Sequence, residues 1–171
     1  MKENTFDENE CLRKFNQFVD AANNYYKARN IFYRELSLTN CRDFILAFIR
    51  NNINNPSNNL VCLEILGNLS NREKIQLFDL LLLHSLENHG HTWKAQEIIK
   101  SLPKSWLIDN IEKYADPLIK NNDDYWSVLL DIYSDLDANL AQRLALKAIQ
   151  HPDSDIREIG EWFLEKQNPS G

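Results

Sequence analysis

The spacing of the apolar residues limits the fold more than any other feature of this chain. Phe15, Phe18, Ala22, Tyr25, Phe32 and Leu36 fall three, four or seven residues apart, the repeat of one face of an α-helix. Phe44, Ile45, Phe48 and Ile49 continue the pattern, followed by Leu60, Val61, Leu63, Leu66 and Leu69, and then by Ile75, Phe78, Leu82 and Leu86. No stretch alternates in the manner of a strand, and no Asn-Gly or Asp-Gly pair marks a hairpin. With only four Gly and five Pro, breakers serve as punctuation between helices. The pattern predicts an all-α fold.

The boundaries follow from capping chemistry. Thr5 and Glu8 form a T-x-x-E signal for a first helix from Asp7 to Leu36, and Thr39 or Asn40 opens a second. The Asn-rich stretch Asn51 to Asn59 reads as a loop whose Asn pairs sit at helix ends. A third helix follows Ser57. Ser70 and Glu73 then start a single helix that Gly90 ends. Thr92 caps a short helix, Pro103 opens one with Leu107, Ile111 and Tyr114 inward, and Asp116-Pro117 forms a bend. Three helices close the chain: Asp123 to Leu136, Asn139 to Gln150, and Ser154 to Lys166, the last two separated by His151-Pro152-Asp153. Ala141, Ala145 and Ala148 on one helix and Gly160 on the next are small enough to let neighbouring backbones approach closely.

The stretch Leu140 to Leu164, LAQRLALKAIQHPDSDIREIGEWFL, resembles a HEAT-type helical repeat. Pro152, Asp153 or Asp155, Ile156 and Arg157 stand where that family carries its turn and the opening of its second helix. The resemblance implies that the Asp and Arg tie successive repeats together. The expected architecture is an irregular α-solenoid of antiparallel helix pairs, HEAT/ARM-like, with about eight to ten helices. It forms a single domain over residues 1–171, frayed at 1–6 and 168–171.

Composition narrows the function. The formal charge of −6 argues against nucleic-acid binding, which needs a basic face. Cys11, Cys41 and Cys62 are odd in number and widely spaced, so they read as buried thiols in a reducing cytosol. The polar start MKENTFDENE lacks a signal-peptide core, and no apolar run, Leu80 to Leu83 included, is long enough to span a bilayer. A cytoplasmic location is expected. Nucleophile, phosphate-loop and dinucleotide motifs are absent. His84, His89 and His91 with Glu87 fit no metal spacing and read as one core and two loop histidines. Neither an enzyme nor a cofactor is expected.

The strongest functional signal lies between Asp116 and Asp137. Asp116, Asp123, Asp124, Asp131, Asp135 and Asp137 share that stretch with a single base, Lys120, and with Tyr125, Trp126 and Tyr133. Helix starts and bends account for Asp116, Asp123 and Asp124. Asp131 and Asp135, mid-helix and near its C-terminus, gain nothing from the helix dipole. Trp126 and Tyr133 are expected half-exposed on the flank. The last helix adds Asp155, Glu158, Glu161 and Glu165 beside Trp162. Two acidic helix faces with aromatic anchors can form one surface for a basic protein, and a core stripe with a solvated back is the plainer reading. The predicted partner-binding residues are Asp124, Trp126, Asp131, Tyr133, Asp135, Asp155, Glu158 and Glu161.

In size, charge and repeat style the chain resembles the all-helical, HEAT-like immunity proteins of bacterial contact-dependent growth inhibition. The resemblance implies a one-to-one complex with a basic toxin C-terminal domain, such as an RNase or tRNase, whose active site the immunity protein covers. The alternative is a non-catalytic HEAT-like adaptor that docks another protein. A HEAT-like DNA glycosylase would need a basic groove, opposite to the charge found here.

Overall fold

The computed structural model describes residues 8–38, 41–87, 90–120 and 123–167. Among them the chain is all-α, with ten helices and no strand. They are α1 (Glu8–Leu38), α2 (Arg42–Asn52), α3 (Asn59–Gly67), α4 (Asn71–Gln76), α5 (Phe78–Leu86), α6 (Thr92–Lys100), α7 (Lys104–Ile119), α8 (Tyr125–Leu136), α9 (Ala138–Ile149) and α10 (Ser154–Gln167). Thr5, Thr39, Asn40 and His89, together with the ends expected to fray, lie outside the described residues. The chain divides into two compact units, Met1–Ile45 and Leu46–Gly171.

The first unit is dominated by α1, which presents its side chains to solvent. No described side chain between Asn9 and Glu35 is buried. Cys11 and Cys41 are exposed, correcting the expectation of buried thiols, while Cys62 in the second unit is buried. On α2, Ile45 and Ile49 are buried as the spacing predicts, but Phe44 is 72% exposed and Phe48 39%.

The second unit holds the core. α3 packs on α6, α5 on α6 and α7, α7 on α8, α8 on α9, and α9 on α10. Phe78 sits where α5 meets α7. Its ring takes edge contacts from Trp106 at 5.0 Å and Tyr114 at 5.1 Å, a geometry that adds attraction beyond area burial. The capping box is present: Glu73 N donates to Ser70 Oγ, and Ser70 N donates to Glu73 Oε2 at 2.8 Å.

Three local expectations are revised. The helix after Ser70 is two helices, because its last turn tightens to an i→i−3 bond from Leu77 N to Lys74 O before α5 begins. No Gly or Pro marks that break. Asp116-Pro117 is no bend: α7 continues through Pro117 to Ile119, and a proline this close to a helix end disturbs only the final turn. Thr92 does not cap α6 but donates its hydroxyl back to Glu87 O at 2.6 Å.

The Asn-rich stretch is a built structure. Buried Asn59 donates through Nδ2 to Ile53 O at 2.9 Å and lies 3.2 Å from His84 Nδ1. His84 Nε2 lies 2.9 Å from Asn54 Oδ1. With Asn59 and, at 3.4 Å, the Glu87 carboxylate beside Nδ1 and Asn54 beside Nε2, His84 ties the stretch before α3 to α5.

Gly160 of α10 is set against α9. A Cβ built there would lie 2.7 Å from Ala145 O and 2.9 Å from Ala148 Cβ. Gly160→Ala should therefore destabilise the chain by about 1–3 kcal/mol in urea unfolding, since backbone must move to admit the methyl. An unchanged midpoint would mean that α10 does not approach α9 this closely. Replacing His84 by Phe should cost about 1–3 kcal/mol by leaving the buried Asn59 amide one acceptor short, read from the same unfolding curves.

Candidate functional site

The distribution of charge defines the site. Residues 123–167 hold ten acids and four bases, so the whole formal charge of −6 resides in this segment. Its four bases are already engaged. Arg143 of α9 pairs with Glu112 of α7 at 3.0 Å, and Lys147 with Asp116 at 2.6 Å. Arg157 donates to the carbonyls of His151 and Pro152 at 2.9 and 2.7 Å, bracing the turn before α10. Lys166 stands over the Trp162 ring at 4.8 Å. The Arg157 contacts stay within the turn before α10, whereas the resemblance of Leu140 to Leu164 implied ties between successive repeats.

These pairs sort the predicted site residues. Asp116 belongs to the α7–α9 bridge. Asp135 is paired with Lys100 of α6 at 2.6 Å, which explains an acid near a helix C-terminus without any partner. Asp137 is the acid that caps: its Oδ1 accepts from Leu140 N at 3.0 Å and starts α9. Asp124 occupies the cap position of α8 but its side chain makes no capping bond, contrary to expectation.

Trp126 and Tyr133 are not exposed anchors. Trp126 is 3% exposed and Tyr133 1%, and both belong to the core. The buried face of α8 is broader than its spacing suggested, because α8 meets α7 on one side and α9 on the other. The Trp126 ring lies 5.5 Å from that of His151 beside a hollow of about 320 Å³, and its buried Nε1 has no acceptor among the described residues. The exposed aromatic is Trp162 of α10, 59% accessible; it stood at the edge of the acidic face in the sequence but was not chosen as a site residue.

The acids that remain converge. Ser127, Leu130 and Asp131 of α8 line one side of an open groove of about 570 Å³. Asp155, Glu158, Ile159, Trp162 and Phe163 of α10 line the other. The two acidic faces thus meet, as the sequence suggested, through Asp131, Asp155 and Glu158. Asp124, Asp135 and Glu161 are not among the lining residues. Among the described residues no base pairs with Asp131, Asp155 or Glu158. The floor is apolar and the rim negative, a geometry that accepts an apolar side chain accompanied by cations. Among the described residues no three His, Cys, Asp or Glu side chains gather as a metal site. Nor is any helix long and apolar enough to cross a membrane.

Burial, followed by the charges of Glu112 and Asp116, pushes the Tyr133 phenol far above its ordinary range, with Arg143 acting weakly the other way. The folded chain then keeps this proton while the unfolded chain loses it near pH 10, so stability falls as pH rises beyond about 10. Tyr133→Phe should flatten that alkaline decline in unfolding free energy; an identical slope in the variant would mean Tyr133 ionises freely in the fold. Compared with known proteins, the chain matches no family model, no curated protein and no solved structure.

Proposed function

We propose that this protein is a cytoplasmic, non-catalytic immunity protein that neutralises a basic toxin domain, a nuclease of the RNase or tRNase type, in a one-to-one complex. The observation that carries this reading is the α8–α10 groove: three carboxylates without basic partners among the described residues, beside an exposed tryptophan, in a segment that holds the whole net charge. A nuclease is positive where it holds phosphate. A surface of opposite sign steers it into contact rapidly and then occupies the phosphate-binding face. Trp162 supplies the rigid, amphipathic anchor typical of an interface hot spot.

The test begins with the neighbouring reading frame. A large toxin encoded beside this chain, whose basic C-terminal domain co-purifies with it one-to-one at nanomolar Kd or tighter, is the expected result. The association rate should fall steeply with salt. Reversing Asp131, Asp155 and Glu158 together to Lys should weaken binding by on the order of a hundredfold or more and abolish protection, with helicity retained. Asp109→Lys, on the exposed side of α7, should do neither. Affinity equal to that of the parent in the triple variant would remove the groove from the interface. Weak binding to many unrelated basic peptides would instead make the chain an adaptor.

A further inference from the structure

Helix α1 carries a second pattern, independent of the acidic groove. Its apolar residues repeat every seven positions in three parallel rows. Cys11, Phe18, Tyr25 and Phe32 form one row, Leu12, Val19, Tyr26 and Tyr33 the next, and Phe15 and Ala22 lead into Arg29 in the third. A strict seven-residue apolar repeat keeps a seam facing a partner helix in a left-handed supercoil. The seam is open to solvent: Phe15 is 62% exposed, Phe18 70% and Tyr26 57%. Helix α1 has 31 residues, so it runs for about 46 Å at 1.5 Å per residue. Isolated helices of this composition are marginal in water and gain their stability from packing the apolar face.

We propose that the α1 face binds a second copy of this chain, the two α1 helices running antiparallel as a coiled coil. With Phe15, Ala22 and Arg29 at heptad position a and Cys11, Phe18, Tyr25 and Phe32 at d, one antiparallel register is self-complementary. It sets Phe15 opposite Phe32 of the other copy, small Ala22 opposite large Tyr25, and Arg29 opposite Phe18. The guanidinium, which already stands 5.2 Å from the Tyr33 ring centre of its own helix, meets a second aromatic face there. The same register places Lys14 at one flank opposite Glu35 of the other copy, and two-fold symmetry gives that pair twice. Ala21 and Ala28 face each other between these pairs, where small side chains let the helices close. Lys14 already lies 3.5 Å from Glu10 and Glu35 3.2 Å from Arg34 within the same helix, so the cross-copy pair extends these contacts; a parallel pairing puts Arg29 against Arg29 and adds no such pair, so charge favours the antiparallel arrangement.

The experiment uses the full chain in sedimentation equilibrium. A dimer is expected, and Phe18→Glu should weaken it on the order of a hundredfold. A monomer for the parent chain at about 100 µM, or a dimer untouched by Phe18→Glu, overturns the proposal. Since Phe18→Glu can also melt α1, orientation is tested separately. Chains carrying Ala22→Cys are mixed with chains carrying Tyr25→Cys, both with Cys11→Ser and Cys41→Ser, and oxidised. Antiparallel helices in the stated register give the mixed disulfide in preference to either symmetric one. Predominant symmetric disulfides mean parallel helices, and no disulfide means that α1 does not pair with itself; either result overturns the proposal. These outcomes are read without any toxin and stand apart from the function of the groove.

Discussion

The contact of Gly160 with the backbone of α9 is the constraint on which the rest of the C-terminal unit depends. With no side chain at Gly160, α10 settles against Ala145 and Ala148 at a distance that no other residue permits. That approach buries Ile156 and Phe163 and leaves Trp162 outside. It also brings Asp155 and Glu158 alongside Asp131 of α8. A wider spacing between α9 and α10 would shift the α10 side of the groove relative to α8.

Electrostatics then divides labour among the acids. Cross-helix pairs to Arg143, Lys147 and Lys100 consume Glu112, Asp116 and Asp135 at an exposed surface, where such pairs contribute little stability individually but fix which charges remain unbalanced. Asp137 is spent on starting α9. Among the acids that remain, Asp131, Asp155 and Glu158 gather along one groove.

Much of this was legible from spacing and punctuation. An all-α chain of about eight to ten helices, the box at Ser70 and Glu73, the turn at His151 to Asp153 and the small residue at Gly160 all follow from spacing and local chemistry. The errors came from interactions between residues far apart in sequence. Trp126 and Tyr133 looked like flank residues because a single-helix projection ignores that α8 is enclosed by both α7 and α9. Asp135 looked unexplained because Lys100 lies 35 positions earlier. The break at Leu77 carries no Gly or Pro, so the apolar repeat runs through it unchanged. Asn59 and His84 read as a loop residue and a core residue, and only their meeting turns an Asn-rich stretch into an ordered support. In each case the sequence identified the residue and the fold supplied its partner.

Among the described residues, the carboxylates of Asp131 and Glu158 hold no helix cap, bridge or buried amide in place. The architecture beneath them is carried by Gly160, the alanines of α9 and the apolar residues of α8 and α10. The groove carboxylates and the residues that hold the fold are therefore separate sets. Such a surface can exchange charge, size or polarity while its scaffold stays intact.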